Sequence, residues 1–185
     1  GLIRRRQGAG TFVVGKVPIM DAGLEVLESL ETMAQRMNLA ISVSDLNVER
    51  IDADQEYANE LGVNVGSCIT RVRRVMRADT RPVAYLIDNL PEEVLKMDDL
   101  PQDFDGSVLD FMLERGADLR ISRAAISATN ATAEVAKALE IQRGDVLLKF
   151  VSQLYSSESK VLDYTFSYFI PGYFNFHVVR RIGNS

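Results

Sequence analysis

The chain has 185 residues, 46% of them apolar and 25% charged, with a net charge of −5 and a single cysteine. That is length enough for one sizeable core with a small appendage, at the composition of a globular protein. No apolar run approaches the roughly 18 residues of a membrane span. The N-terminus lacks the apolar stretch of a secretion signal, and one cysteine permits neither a disulfide framework nor a cysteine-rich metal site, so a cytoplasmic location is expected.

Charge is unevenly spread. Residues 1–16 hold Arg4, Arg5, Arg6 and Lys16 and no acid, so they carry +4 of the total of −5 and leave −9 on the remainder. An acidic body argues against a generic nucleic-acid binder, and a basic stub attached to it indicates two units with different tasks.

In chain order, the opening Gly1-Leu-Ile-Arg-Arg-Arg-Gln-Gly8-Ala-Gly10-Thr-Phe-Val-Val14 sets two strand-like runs around a glycine break, the pattern of a hairpin. Gly8 and Gly10 permit the positive φ of a tight turn. Residues 15–23 carry Pro and Gly punctuation and read as a linker. Leu24, Leu27, Leu30, Ala34 and Met37 recur at three and four, with Glu25, Glu28, Glu31 and Gln35 on the other face, which predicts an amphipathic helix. Residues 40–51 are β-prone, and Asp54–Leu61 predicts a short helix stopped by Gly62. Cys68, within the strand-like Ser67-Cys-Ile-Thr70, reads as a small buried thiol.

The chain also resembles itself. Ala58-Asn-Glu-Leu61-Gly-Val63-Asn-Val-Gly66 recurs 78 residues later as Ala136-Lys-Ala-Leu139-Glu-Ile141-Gln-Arg-Gly144. Each copy precedes a β-prone run (67–78 and 145–155), a polar turn and another strand, which points to a duplicated helix–turn–hairpin unit. Two copies are too few for a solenoid, so the halves are expected to share one sheet and core. Between them, Ser107–Gly116 predicts a helix with Ser107 as N-cap and Gly116 as stop. Residues 119–128 and 161–170 read as strands, and Pro171-Gly172 turns the chain into 174–180. About six or seven strands and four or five short helices, joined by short turns, give an antiparallel sheet and the α+β class.

No catalytic motif emerges. The lone His177 has no partners for a metal site or a nucleophile pair, and reads as structural or surface. Glu92-Glu93 and Asp98-Asp99 fall in exposed turns. One strand bears on binding: Arg71-Val-Arg-Arg74-Val-Met76-Arg77. Alternation puts Arg71, Arg73, Val75 and Arg77 on one side, a solvated face or a row of crossing salt bridges. Val72, Arg74 and Met76 take the other, so Arg74 sits among apolar neighbours. An arginine facing a core needs an anion. A three-residue turn places Leu86 opposite Arg74 and Asp88 opposite Val72, leaving two readings open: an internal Arg74–Asp88 pair, or an anion-binding Arg74 tuned by Asp88.

Two stretches carry a family resemblance. Residues 1–13 resemble the wing of the winged helix-turn-helix in GntR-type transcription regulators, whose pattern is G-L-[IV]-x-R-R-x-G-x-G-T-[FY]-V. The runs RVRRVMRADTRPVAYLIDNLP (71–91), GSVLDFMLERG (106–116), A-x-x-L-x-I-x-x-G-D-V-L-L (136–148) and DYTFSYFIPGYFNF (163–176) resemble, in order, the UTRA effector-binding domain of the HutC subfamily.

The resemblance implies a chorismate-lyase-like antiparallel sheet of about six strands flanked by short helices. It implies a wing at 1–14, a linker at 15–23, and an effector-binding and dimerising domain at 24–185. Arg4, Arg5, Arg6, Gly8 and Gly10 would meet DNA phosphates and the minor groove. Operator DNA would be read specifically only through helices preceding residue 1, so this chain alone is expected not to bind an operator specifically.

On the same footing, Arg74 takes the place of the family's anion-contacting arginine. Ser107 opens a helix whose start can hold a carboxylate or phosphate, and Ser29 lies in a polar stretch (29–32) corresponding to a further ligand contact. Tyr164, Ser167 and Tyr168 are candidates for the pocket lining, with core packing as the alternative for the tyrosines. Met76 stands where sugar-phosphate sensors have a second arginine, and Leu86 where they have a glutamate. The resemblance therefore implies a small anionic effector, with an aromatic or aliphatic organic acid favoured over a sugar phosphate. It also implies a homodimer, with no cofactor, metal or membrane. A lyase on the shared fold, and a ligand-free dimerisation module, are the competing functions. The wing argues against the first.

Overall fold

The self-similar segments fold as two copies of one β–α–β–β unit. The computed structural model describes residues 2–6, 10–14, 19–102, 104 and 106–181, the first two stretches by their backbone. In chain order the elements are β1 (Leu2–Arg6), β2 (Gly10–Val14), β3 (Met20–Gly23), α1 (Leu30–Arg36), β4 (Ile41–Asp52), α2 (Gln55–Leu61), β5 (Cys68–Ala78) and β6 (Arg81–Pro91). There follow α3 (Val108–Glu114), β7 (Ile121–Asn130), α4 (Ala133–Ala138), β8 (Val146–Tyr155), β9 (Val161–Phe169) and β10 (Phe174–His177).

The main sheet is antiparallel with order β4-β5-β6-β9-β8-β7, so the units β4-α2-β5-β6 and β7-α4-β8-β9 meet through β6 and β9. Their backbone hydrogen bonds repeat at the same offset of 78 residues. Gly66 N–H donates to Ala53 O at 2.7 Å and Gly144 N–H to Ala131 O at 2.9 Å; Val63 donates to Ala58 at 3.1 Å and Ile141 to Ala136 at 3.0 Å. Asp54 caps α2 and Thr132 caps α4, each accepting from the third N–H onward. Gly66 and Gly144 take φ of 83° and 91°, a conformation strained for any side chain, which is why both copies keep glycine there. Leu61, the last residue of α2, and Leu139, the C-cap of α4, are fully buried, each contributing about 1.5–3 kcal/mol of transfer free energy.

Alternation gives the sheet two different faces. On one, α2 packs over Ile69 and Tyr164 and α4 over Val75, Tyr85 and Leu147. Arg71, Arg73 and Arg77 share this side and form the crossing salt-bridge row: Arg73 to Glu49 at 3.0 Å and Arg77 to Glu140 at 2.7 Å. On the opposite face, α3 covers one end, with Val108 and Met112 against Val72 and Leu90. At the other end Leu30, Phe174 and Phe176 pack on Met76, Phe150 and Phe169. Between these covers the sheet is open.

Several expectations change. The helix expected over 24–37 begins only at Leu30, because Ser29 takes an extended backbone and caps it, accepting from Thr32 N–H at 2.9 Å. Residues 24–28 cross the open face as an irregular strap, with Leu24 and Leu27 exposed. Of the expected linker, residues 20–23 are β3, paired in parallel with β10. The hairpin at the start forms as expected, Leu2 opposite Val14 and Arg6 opposite Gly10. Gly8 and residues 15–18 lie outside the described residues, as do the side chains of Arg4, Arg5 and Arg6. Cys68 is half-buried, not enclosed, at the edge of β5. The β5–β6 turn has two residues, Asp79-Thr80, yet Leu86 still faces Arg74 and Asp88 faces Val72, because a bulge between Met76 and Arg77 restores the lost position.

Candidate functional site

The open part of the sheet is the floor of a cleft of about 780 Å³, within the range of small-molecule pockets. Its floor follows the strand register. One row runs Arg74–Leu86–Ser167–Phe150–Ile126 across five strands, the next Asp88–Thr165–Ser152–Ala124, and a third Asp163–Leu154–Ser122. The strap from Ala22 to Leu30 forms one wall, and Leu109 and Leu113 of α3 another. The lining is therefore mainly apolar, with a line of hydroxyls leading to one buried guanidinium.

Arg74 is 5% exposed, and its Nη1 donates to Asp88 Oδ2. Glu31 Oε1, from the first turn of α1, lies 3.6 Å from Arg74 Nε, beyond hydrogen-bond reach. That Nε and both carboxylate oxygens of Glu31 are buried without a hydrogen-bond partner. Burial alone would lower the Arg74 pKa, but Asp88 and Glu31 outweigh it and raise it. Burial pushes the Glu31 carboxyl up, opposed in part by Arg74. Asp163 accepts from Asn89 N–H at 3.0 Å and from the Thr165 hydroxyl at 2.9 Å. Burial, reinforced by Asp88, still holds its pKa well above the usual carboxylate range. Gly106 presses on the same arginine: a Cβ there would stand 2.9 Å from Arg74 Cδ, at a φ of +100°.

Asp110 organises the neighbouring wall. It accepts from the hydroxyls of Ser29 at 2.5 Å, Ser107 at 2.7 Å and Thr32 at 3.3 Å, tying α1 to α3. Among the described residues no group of three or more His, Cys, Asp or Glu is arranged to hold a metal ion, and no helix is long and apolar enough to cross a membrane.

The UTRA domain family model matches residues 36–175, which takes in the whole sheet, α2, α3 and α4. The chain belongs to the UTRA family, the effector-binding domains of GntR-type transcription regulators. It is 31% identical over 150 residues to the HTH-type transcriptional repressor NagR of Bacillus subtilis (strain 168), covering 80% of this chain but only 60% of that relative. The structure of PhnF from Mycobacterium smegmatis superposes with a TM-score of 0.81 at 20% identity, over 98% of this chain and 79% of that one. The effector domain of PhnF alone gives 0.79 at 19% identity, over 88% and 99%. At those identities the likeness shows the fold: an α+β antiparallel sheet of the chorismate-lyase-like type.

Within this UTRA domain the structure gathers Arg74, Asp88, Leu86, Ser167 and Ser29 around one cleft. Of the two sequence readings of Arg74, the internal pair with Asp88 is present, and the same side chain also lines the cleft. Four other expectations are corrected. Tyr164 and Tyr168 point to the opposite side of the sheet, Tyr164 under α2 and Tyr168 stacked on Tyr85 under α4. Met76 is on the cleft's face of the sheet but is buried beside it among Val83, Ala84 and Phe169, and does not line it. Ser107 does not line the cleft. Its hydroxyl serves Asp110, so the start of this seven-residue helix already faces a carboxylate of its own. Sequence reasoning missed Asp110, Asp163 and Gly106, and took in Glu31 only as part of the polar stretch 29–32. For Asp163 the signal was available, because it alternates in phase with Ser167 along β9.

Proposed function

We propose that this chain is the effector sensor of a bacterial transcription regulator, and that its effector binds in the cleft over Arg74. The observation that supports this most is a buried guanidinium at the end of a line of hydroxyls, on an otherwise apolar floor, in a UTRA domain. The effector is a small organic anion whose charged end meets Arg74 and whose apolar body lies on Leu86, Phe150 and Leu154. Met76 and Leu86 supply neither a second cation nor an acceptor for sugar hydroxyls, which favours an aromatic or aliphatic acid over a sugar phosphate. Arg74 is the anchor, and Asp88 orients it. Ser167 and Ser29 are polar contacts at the cleft.

The regulator works as a cytoplasmic homodimeric repressor whose operator affinity the effector alters, with Arg4, Arg5 and Arg6 and the glycines Gly8 and Gly10 meeting DNA. β7 suits the dimer contact. It is a ten-residue edge strand exposed on most of its length, with Ile121 and Ile126 in the open, and a bare edge of that kind is normally covered. An effector shifts operator affinity only by binding one arrangement of the dimer more tightly than another.

Thermal-shift screening with organic acids and hexosamine phosphates tests the effector class. A ligand at 100 times its Kd adds about 2.7 kcal/mol, worth roughly 5–11 °C in Tm for a domain of this size. Stabilisation by hexosamine phosphates and by no organic acid would refute the class of effector.

A further inference from the structure

Glu31 is held in a way that its own stability does not explain. Its two carboxylate oxygens are buried, neither has a hydrogen-bond donor, and the nearest cation, Arg74 Nε, stands 3.6 Å away and is itself unpartnered. The neighbouring charges are mostly of its own sign: Asp88 and Asp110 both add to the burial penalty on Glu31. Arg74 offsets the burial of Glu31 only in part, from beyond hydrogen-bond distance, and the carboxylate gains hydration by leaving. The Nε of the guanidinium that Glu31 approaches has no hydrogen-bond partner, and the guanidinium edge to which it belongs is suited to a planar carboxylate.

The local charge balance points the same way. Arg74 already faces Asp88 and Glu31, with Asp163 close enough to act on both Asp88 and Arg74. An anion added to this intact cluster brings one more negative charge to a site where carboxylates outnumber the cation. An anion that replaces a charged Glu31 leaves the net charge unchanged and can accept from the Arg74 Nε that has no partner.

We propose that Glu31 is an internal competitor for the Arg74 site, displaced into solvent when an anionic effector binds. This rests on the reading of the cleft as the effector site. Glu31 then determines selectivity. It excludes anions that interact with Arg74 no better than a poorly seated carboxylate, and admits those that make two hydrogen bonds to it. It also links occupancy to the chain's N-terminal side. Glu31 sits in the first turn of α1, two residues past the cap Ser29, and the strap runs from there directly back to β3.

The test compares the intact 185-residue chain with Glu31→Gln and Glu31→Ala, using benzoate and inorganic phosphate as probes in titration calorimetry. Both variants are expected to bind the probes at least tenfold more tightly than the wild type. Probe binding should also speed amide hydrogen exchange over 30–34 in the wild type and not in Glu31→Gln. Equal or weaker probe binding by both variants, or no measurable binding by either, overturns the competitor. A third variant, Glu31→Gln with Ser167→Phe, fills the cleft. If it binds the probes as well as Glu31→Gln does, the anion is seated elsewhere and the effector site itself falls with the inference.

Discussion

Replacing Arg74 by methionine removes the one cation from a buried group of carboxylates while keeping an unbranched apolar stem. Asp88 loses its ion pair, Glu31 the cation nearest to it among the described residues, and Asp163 remains buried. Breaking a buried pair from one side costs about 3–5 kcal/mol, because the remaining charge is left uncompensated. In a domain of this length each kcal/mol shifts Tm by about 2–4 °C, so a loss of roughly 6–20 °C is expected. The loss should also depend on pH. Without Arg74 the carboxyls can relieve their repulsion by taking up protons, so their folded pKa values rise above the unfolded values near 4. The folded state then binds more protons than the unfolded one, and the penalty grows as pH climbs past that value. Urea unfolding at about pH 5 and about pH 7.5 reads both effects. A loss below about 1 kcal/mol that is the same at both pH values would refute the placement of these charges.

Two further perturbations probe the same floor. Asp163→Asn keeps an acceptor for Asn89 N–H and removes the ionisation. Because burial holds the wild-type pKa well above the usual range, the wild type loses stability as pH rises above the unfolded value. The variant is therefore expected to unfold at higher urea at neutral pH and to match the wild type near pH 3. Gly106→Ala and Gly144→Ala both put a side chain at positive φ, which costs about 1–2 kcal/mol. Only at Gly106 does the new Cβ also meet Arg74 and Val43, at 2.9 and 3.1 Å. Gly106→Ala is expected to be the more destabilising in thermal unfolding and to weaken anion binding; equal losses would show that Gly106 does not hold Arg74 in place.

How much of this was legible in the sequence follows from the distance over which each feature is specified. The duplication could be read because cap, helix end and glycine recur locally, and the structure returns the same hydrogen bonds at the same offset. The facing of Arg74 by Leu86 was legible because two alternating strands joined by a short turn leave few registers, and the bulge compensated for a turn one residue shorter than expected. The same alternation should have separated Ser167 from Tyr164 and Tyr168, yet nothing in β9 says which face is covered by helices and which is open. The spacing of Leu24 and Leu27 imitated a helix, while Ser29, a good capping residue, marked the true start. Asp110 was not legible, and Glu31 only as a member of the polar stretch 29–32, without its approach to Arg74. Their partners come from other elements, Ser29 meeting Asp110 from 81 positions away, and no local pattern encodes such a meeting. The parallel pairing of β3 with β10 joins the two ends of the domain and is hidden for the same reason.

The most direct test is a crystal structure of the chain with the first organic acid that raises its Tm. The acid's carboxylate is expected within hydrogen-bond distance of Arg74, its apolar body on Leu86 and Phe150, and Glu31 swung out of the cluster. A compound bound outside the cleft, with Arg74, Asp88 and Glu31 left as they are, would contradict that expectation.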